Sequence, residues 1–194
     1  MSNSPKQFPL KLAMIFFLVL GFLILDQEDV FSQKGDSTKC WDAHNKLSWL
    51  DFKGKIDKKS MFAAVCPSDI VVYPVSKNDS TREYKVKVIF KRYEAWAKNT
   101  TQSTLAHEQL HFDITELYAR KVRKVIREKY KGRYNDEFGS IIKGLIAELD
   151  QSEEDYDKET IHGAFIEGQQ KWAKKIFAEL DTLKGYASTL KDCN

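Results

Sequence analysis

His107-Glu108-Gln109-Leu110-His111 puts two imidazoles and a carboxylate within five residues. On a helix, at ~100° per residue, His111 stands ~40° from His107, so both rings reach one ion. The glutamate beside the first histidine is placed to take a proton from a metal-bound water, and this H-E-x-x-H order suits a zinc hydrolase. On the same wheel Ile114, Tyr118, Val122 and Val125 share the histidine stripe, which turns the pair toward the body of the protein. A pair of core histidines satisfied by hydrogen bonds is the competing reading of that stripe. Asp113 and Glu116 fall on other faces. Asp113 reads as a support residue bonded to a neighbouring segment, and Glu116 as a solvated charge.

Two histidines leave such a site incomplete, because catalytic zinc usually takes three protein ligands and keeps a fourth position for water. His162 precedes Gly163 at a break between two helical stretches and is the candidate third ligand. Asp157 and Glu159 are the alternatives, since a downstream carboxylate serves zinc equally well. His44 has no special setting. The expected centre is therefore Zn2+ on His107, His111 and His162, with Glu108 as general base. Tyr156 is the expected second catalytic group, a phenol donor to a developing oxyanion.

The elements that must position these groups fall into two halves. Asp69 to Val75 is a short β-branched run, Asn78-Asp79-Ser80 a polar turn, and Glu83 to Tyr93 alternates with Tyr84, Val86, Val88 and Phe90 on one face. Trp41, Trp49 and Phe52 are expected core anchors. The segment Tyr84 to Phe90 is also the expected cleft wall against which an extended peptide pairs. A long helix is predicted from Thr104 to about Tyr130, capped by Ser103 or Thr104 and ended by Gly132. A second opens at Asn135 or Asp136 and breaks up near Glu153 to Glu159. A third runs from Ala164 to Leu183 with Trp172, Ile176, Phe177 and Leu180 inward. The fold class is α+β, one domain, with a small antiparallel sheet followed by about three long helices.

Residues 1–32 read as a secretory signal peptide: Lys6 and Lys11, an apolar run from Leu12 to Leu25, and Val30 and Ser32 at the cleavage positions before Gln33. The acidic Asp26, Glu28 and Asp29 are unusual there, and an uncleaved anchor competes. Residues 33–194 then form the exported domain, secreted or periplasmic, with no membrane span once the signal is cleaved. The net charge of +3 over 194 residues is too balanced for a nucleic-acid partner. The basic run from Arg120 to Arg133 reads as a solvated helix face. Of three cysteines, Cys40 and Cys66 are the expected disulfide pair, with Cys193 a loose tail thiol or paired elsewhere.

Three segments together resemble the bacterial domain-of-unknown-function 922 family, a group of predicted secreted zinc-dependent proteases. They are Trp49-Leu-Asp-Phe-Lys-Gly54, His107-Glu-Gln-Leu-His-Phe-Asp-Ile114, and Tyr156 to Gly163 followed by Gln169 and Trp172. The resemblance implies a zincin-like domain with His107, Glu108 and His111 at its site, and it implies no particular substrate. The function expected is a zinc metallopeptidase acting on a peptide or protein substrate. The rivals are a non-catalytic zinc-containing scaffold and a zinc amidase acting on cell-wall peptides.

Overall fold

The computed structural model describes residues 37–78, 81–130, 136–189 and 193. The expected signal peptide, Asp79 and Ser80 of the turn, and the helix boundaries at Gly132 and Asn135 lie outside them.

Alternating apolar residues build the sheet. β3 (Ser68–Asn78) and β4 (Thr81–Lys91) form an antiparallel hairpin in which Ile70 faces Val88 and Val72 faces Val86. β1 (Thr38–Cys40) takes the other side of β4, so the order is β1-β4-β3. Val86, Val88 and Phe90 point inward, each at most 2% exposed. β4 is the central strand: β3 runs along one edge and β1 takes the other at Ile89–Lys91. A second ladder, β2 (Ala64–Val65) with β5 (Trp96–Ala97), stands apart from this sheet.

Helix α1 spans Gln102–Val125, and its last turn passes into a π-helical turn at Ile126–Tyr130. Its cap is Thr101, upstream of the expected Ser103 or Thr104: Thr101 Oγ1 accepts the Thr104 N–H at 3.2 Å. Helices α2 (Asp136–Thr160) and α3 (Ile166–Thr182) follow. Thus α2 does not break up in its acidic stretch. Glu153, Tyr156 and Asp157 recur at i, i+3 and i+4, so they form one inward stripe while their neighbours stay in solvent.

Helix α1 is the spine. On one flank Phe112, Ala119 and Val122 pack on Val86, Val88 and Phe90 of the sheet. On the other, Leu110, Ile114, Leu117 and Tyr118 meet Leu149, Tyr156, Trp172, Ile176 and Leu180 of α2 and α3. A helix wrapped on both flanks buries its polar residues too. Glu116, expected to be solvated, is fully buried with Arg120 Nε at 2.9 Å and Arg123 Nη1 at 3.2 Å, so two arginines of the supposed solvated run are also interior. Phe177 departs from expectation in the opposite sense and is half exposed.

The chain before α1 is tied to this spine. Trp41 Nε1 donates to Asp113 Oδ1 at 2.7 Å, Lys46 Nζ lies 3.1 Å from the same oxygen, and the Leu47 N–H donates to Gln109 Oε1 at 2.7 Å. Asp113 is thus the support residue expected of it. Of the other aromatic anchors, Phe52 packs on Phe90 at 5.1 Å and carries Trp49 at 4.9 Å. The Trp49–Gly54 stretch ends where a Cβ on Gly54 would come within 2.6 Å of the Ala95 carbonyl oxygen, so only glycine fits.

The expected Cys40–Cys66 bridge does not form. Cys40 is bonded to Cys193, and Cys66 is free. The residues after α3 fold back over α1, where the Ser188 hydroxyl donates to Glu116 Oε2 at 2.7 Å, and this return brings the C-terminus to β1. No helix among the described residues is long and apolar enough to cross a membrane.

Helix α2 ends in a Schellman arrangement, with His162 N–H donating to the Asp157 carbonyl at 2.8 Å and Ile161 N–H to that of Lys158 at 3.3 Å. The left-handed position that glycine normally fills is held by Ile161 at φ 52°. A β-branched residue there costs about 1–2 kcal/mol, and the side chain is largely exposed, so little packing offsets it. Ile161→Gly is therefore expected to raise stability by about 1 kcal/mol and the melting temperature by roughly 2–4 °C. A melting temperature equal to or below that of the parent chain would show that the turn is unstrained.

Candidate metal centre

The two motif histidines sit on the buried face of α1, His107 at 4% and His111 at 9% exposure. Each ring is held by its Nδ1. His107 Nδ1 lies 3.1 Å from Gln169 Oε1 of α3, and His111 Nδ1 bonds Glu153 Oε2 of α2. With Nδ1–H donating outward, each ring turns its Nε2 lone pair to a common point. The two Nε2 atoms are 3.2 Å apart, and Asp157 Oδ1 is 3.1 Å from each.

Three acceptor atoms converging this closely repel one another unless a cation or a proton lies among them. Zinc bonds of ~2.0–2.1 Å at tetrahedral angles place donors ~3.3 Å apart, so the residues present fit such an ion. The electrostatics say the same. Burial opposes the charged His111 ring, yet the Glu153 and Asp157 carboxylates outweigh it and push its pKa up to about 10. Burial also works against Asp157, but hydrogen bonds from His107 and His111 hold its carboxyl well below the usual range. The group His107, His111 and Asp157 can hold a metal ion.

Metal uptake must then displace a proton. At pH 8 the free protein carries a proton on His111, because its pKa is raised above that pH. Binding should release close to one proton from this ring per ion, and affinity should rise with pH between about 7 and 9. Calorimetric titration in two buffers of different ionisation enthalpy measures this directly. An uptake independent of buffer would mean that His111 is already neutral.

Glu108 lines the same cleft at 5% exposure. Burial pushes its pKa up to about 7, His111 opposing and Asp157 and Glu153 adding to the rise. A carboxylate poised there exchanges protons near neutrality. The cleft is walled by Phe62 to Cys66 on the β2 side and by Thr104, Glu153, Asp157 and His162 around the histidines. Cys66 is partly buried in that wall, and desolvation of the thiol, reinforced by the Glu108 and Glu153 charges, drives its pKa well up.

Two expected site residues stand elsewhere. His162 is outside the three-donor group: its side chain is 53% exposed and its Nδ1 lies 3.2 Å from the other oxygen of Asp157. The third converging donor is Asp157, and Glu159 instead accepts the Trp172 indole N–H at 2.8 Å. Tyr156 is behind the histidines rather than over the cleft. It is fully buried, stacks on His107 with ring centroids 4.7 Å apart, and its hydroxyl donates to the His107 carbonyl at 3.4 Å. Burial, helped by the Glu108 and Asp157 charges, raises its pKa further from any working range. Glu153 and Gln169 carry no sequence motif that gives them a role. The stripe Glu153, Tyr156, Asp157 at helical spacing was the signal that could have found the first.

Residues 71–163 match the sequence profile of a family described as "Bacterial protein of unknown function (DUF922)". The match supports a place in the DUF922 family. The matched region includes His107–Ile114 and Tyr156–Gly163, and so holds all three converging donors as well as Glu108 and Glu153. It stops short of Trp49–Gly54, Gln169 and Trp172. Comparison with curated proteins and with solved structures finds no match for the chain.

Proposed function

We propose that this protein is an exported zinc metallopeptidase with a zincin-like site on His107, His111 and Asp157. The observation that carries the reading is the convergence of two Nε2 atoms and one carboxylate oxygen within 3.2 Å, each ring turned by an outer partner on Nδ1. A zinc ion held there supplies a Lewis acid for a bound water and a scissile carbonyl. Glu108, buried on the same cleft wall, takes the proton of the attacking water on its carboxylate and delivers it to the leaving nitrogen. Gln169 and Glu153 keep the imidazoles in the tautomer that leaves Nε2 free.

A peptide substrate is favoured over a small amide by the cleft wall. β2 pairs only with β5 in its ladder. Ala64 stands opposite Ala97, and the Lys98 N–H donates to the Ala63 carbonyl at 2.7 Å. In this register the N–H and C=O of Ala64 point away from β5, which is the edge an extended segment would pair with. This role, expected of Tyr84–Phe90, passes to β2, whose Ala64 and Val65 line the cleft while Tyr84–Phe90 do not. A purely structural zinc site has no use for Glu108, which weighs against the scaffold reading. Export is supported by the signal pattern of residues 1–32 and by the Cys40–Cys193 disulfide, a bond that persists in oxidising compartments.

The test is metal analysis of the purified chain combined with hydrolysis of a quenched-fluorescent peptide mixture, with and without a chelator. One zinc per chain and chelator-sensitive cleavage are expected. One zinc with no cleavage of any peptide would leave the scaffold reading in its place.

A further inference from the structure

The chain leaves α2 through three consecutive left-handed residues, Ile161, His162 and Gly163, at φ 52°, 49° and 81°. A single glycine at the helix end would reverse the chain at lower cost, and strain of this kind tends to collect at functional sites. What the second and third residues achieve is found at the candidate centre. His162 Nδ1 is 3.2 Å from Asp157 Oδ2, the oxygen that the motif imidazoles leave, since both face Oδ1. Gly163 closes on the His107 ring, where a Cβ would fall 2.9 Å from Cγ. The His162 ring also packs against Phe62 of the opposite cleft wall, with centroids 5.2 Å apart.

Taking the site as the zinc centre argued above, we propose that the 161–163 turn positions the third donor: His162 Nδ1–H holds Asp157 Oδ2 and aims Oδ1 at the ion, while His162 stays outside the coordination. A carboxylate turning freely about its Cβ–Cγ bond presents either oxygen, or both. A donor fixed on Oδ2 leaves one. The left-handed backbone at His162 is what brings its ring back over the last turn of α2 to reach Asp157, five residues earlier. Gly163 then lets the same turn lie flat on His107, so one strained segment sets two of the three donors.

Metal binding tests this without any substrate. The full chain is stripped of metal, titrated with Zn2+ against a chromophoric chelator, and titrated with Co2+ in the visible. His162→Gly keeps the left-handed backbone at no steric cost and removes only the ring. It should still bind one ion, with affinity lowered ~10–100-fold and the Co2+ bands shifted. His162→Asn places an amide N–H near the position of Nδ1 and tolerates the same φ, so it should restore both affinity and spectrum. Thermal unfolding of the metal-free variants checks that the fold is intact. Wild-type affinity and bands in His162→Gly would overturn the proposal. Loss of all binding in both variants would also overturn it, by making His162 a direct ligand. A parent chain that takes up neither ion removes the zinc reading itself, and the positioning role with it.

Discussion

Glu108→Gln should keep its zinc and lose its hydrolysis. The substitution preserves the side chain's shape and leaves His107, His111 and Asp157 untouched, so one ion per chain is expected by metal analysis. What it removes is the carboxylate that accepts the water's proton. A general base contributes ~10²–10⁴-fold, so peptide cleavage should fall by at least that range. The effect is expected in kcat more than in KM, because proton transfer belongs to the transition state and not to substrate binding. His111→Ala and Asp157→Asn give the opposite pattern, with metal content and activity lost together. Glu108→Gln turning over peptides at the parent rate would end the hydrolase reading, and the zinc-scaffold reading would replace it.

The second large effect belongs to the fold. Glu116 has a fully buried side chain, and its oxygens take Arg120 Nε at 2.9 Å, Arg123 Nη1 at 3.2 Å and the Ser188 hydroxyl at 2.7 Å. The arginines in turn reach the Leu180 carbonyl at 2.6 Å and the Tyr186 carbonyl at 3.0 Å. One carboxylate therefore pins α1 to the end of α3 and to the returning C-terminal segment. Glu116→Ala leaves two guanidinium groups buried without their counter-charge, a loss of about 3–5 kcal/mol. The melting temperature should fall by roughly 10 °C or more, and the denaturant midpoint should fall with an unchanged slope. Glu116→Ala within 1 kcal/mol of the parent would mean that the network merely fills space. The candidate metal centre lies about 1.4 to 2.5 turns along the same helix, so residual zinc binding in the folded fraction is expected to persist.

By itself the sequence determined what depends on local periodicity. His107 and His111 at helical spacing, on a stripe shared with Ile114 and Val122, had to face inward wherever α1 was placed. The alternation of Val86, Val88 and Phe90 had to make a one-sided strand. The α+β order and the Glu108 position follow from the same short-range rules. Tertiary structure decided everything that depends on which distant segment meets α1. Asp157 became the third converging donor because α2 continues to Thr160 and turns its Glu153–Tyr156–Asp157 stripe to the histidines. An acidic run gives no local sign of that continuation, since the same residues suit a frayed end. His162 is the favoured ligand by its place at a helix break beside Gly163, yet the left-handed turn sets it against the far oxygen of Asp157. Glu116 looked solvated because a wheel shows one helix and not the two layers that wrap it. Cys40 met Cys193, 153 residues away, because the chain end returns over α1. Periodicity tells each residue which side of its own element it occupies. Only packing, which depends on the shape and burial of all the elements together, determines what lies on that side.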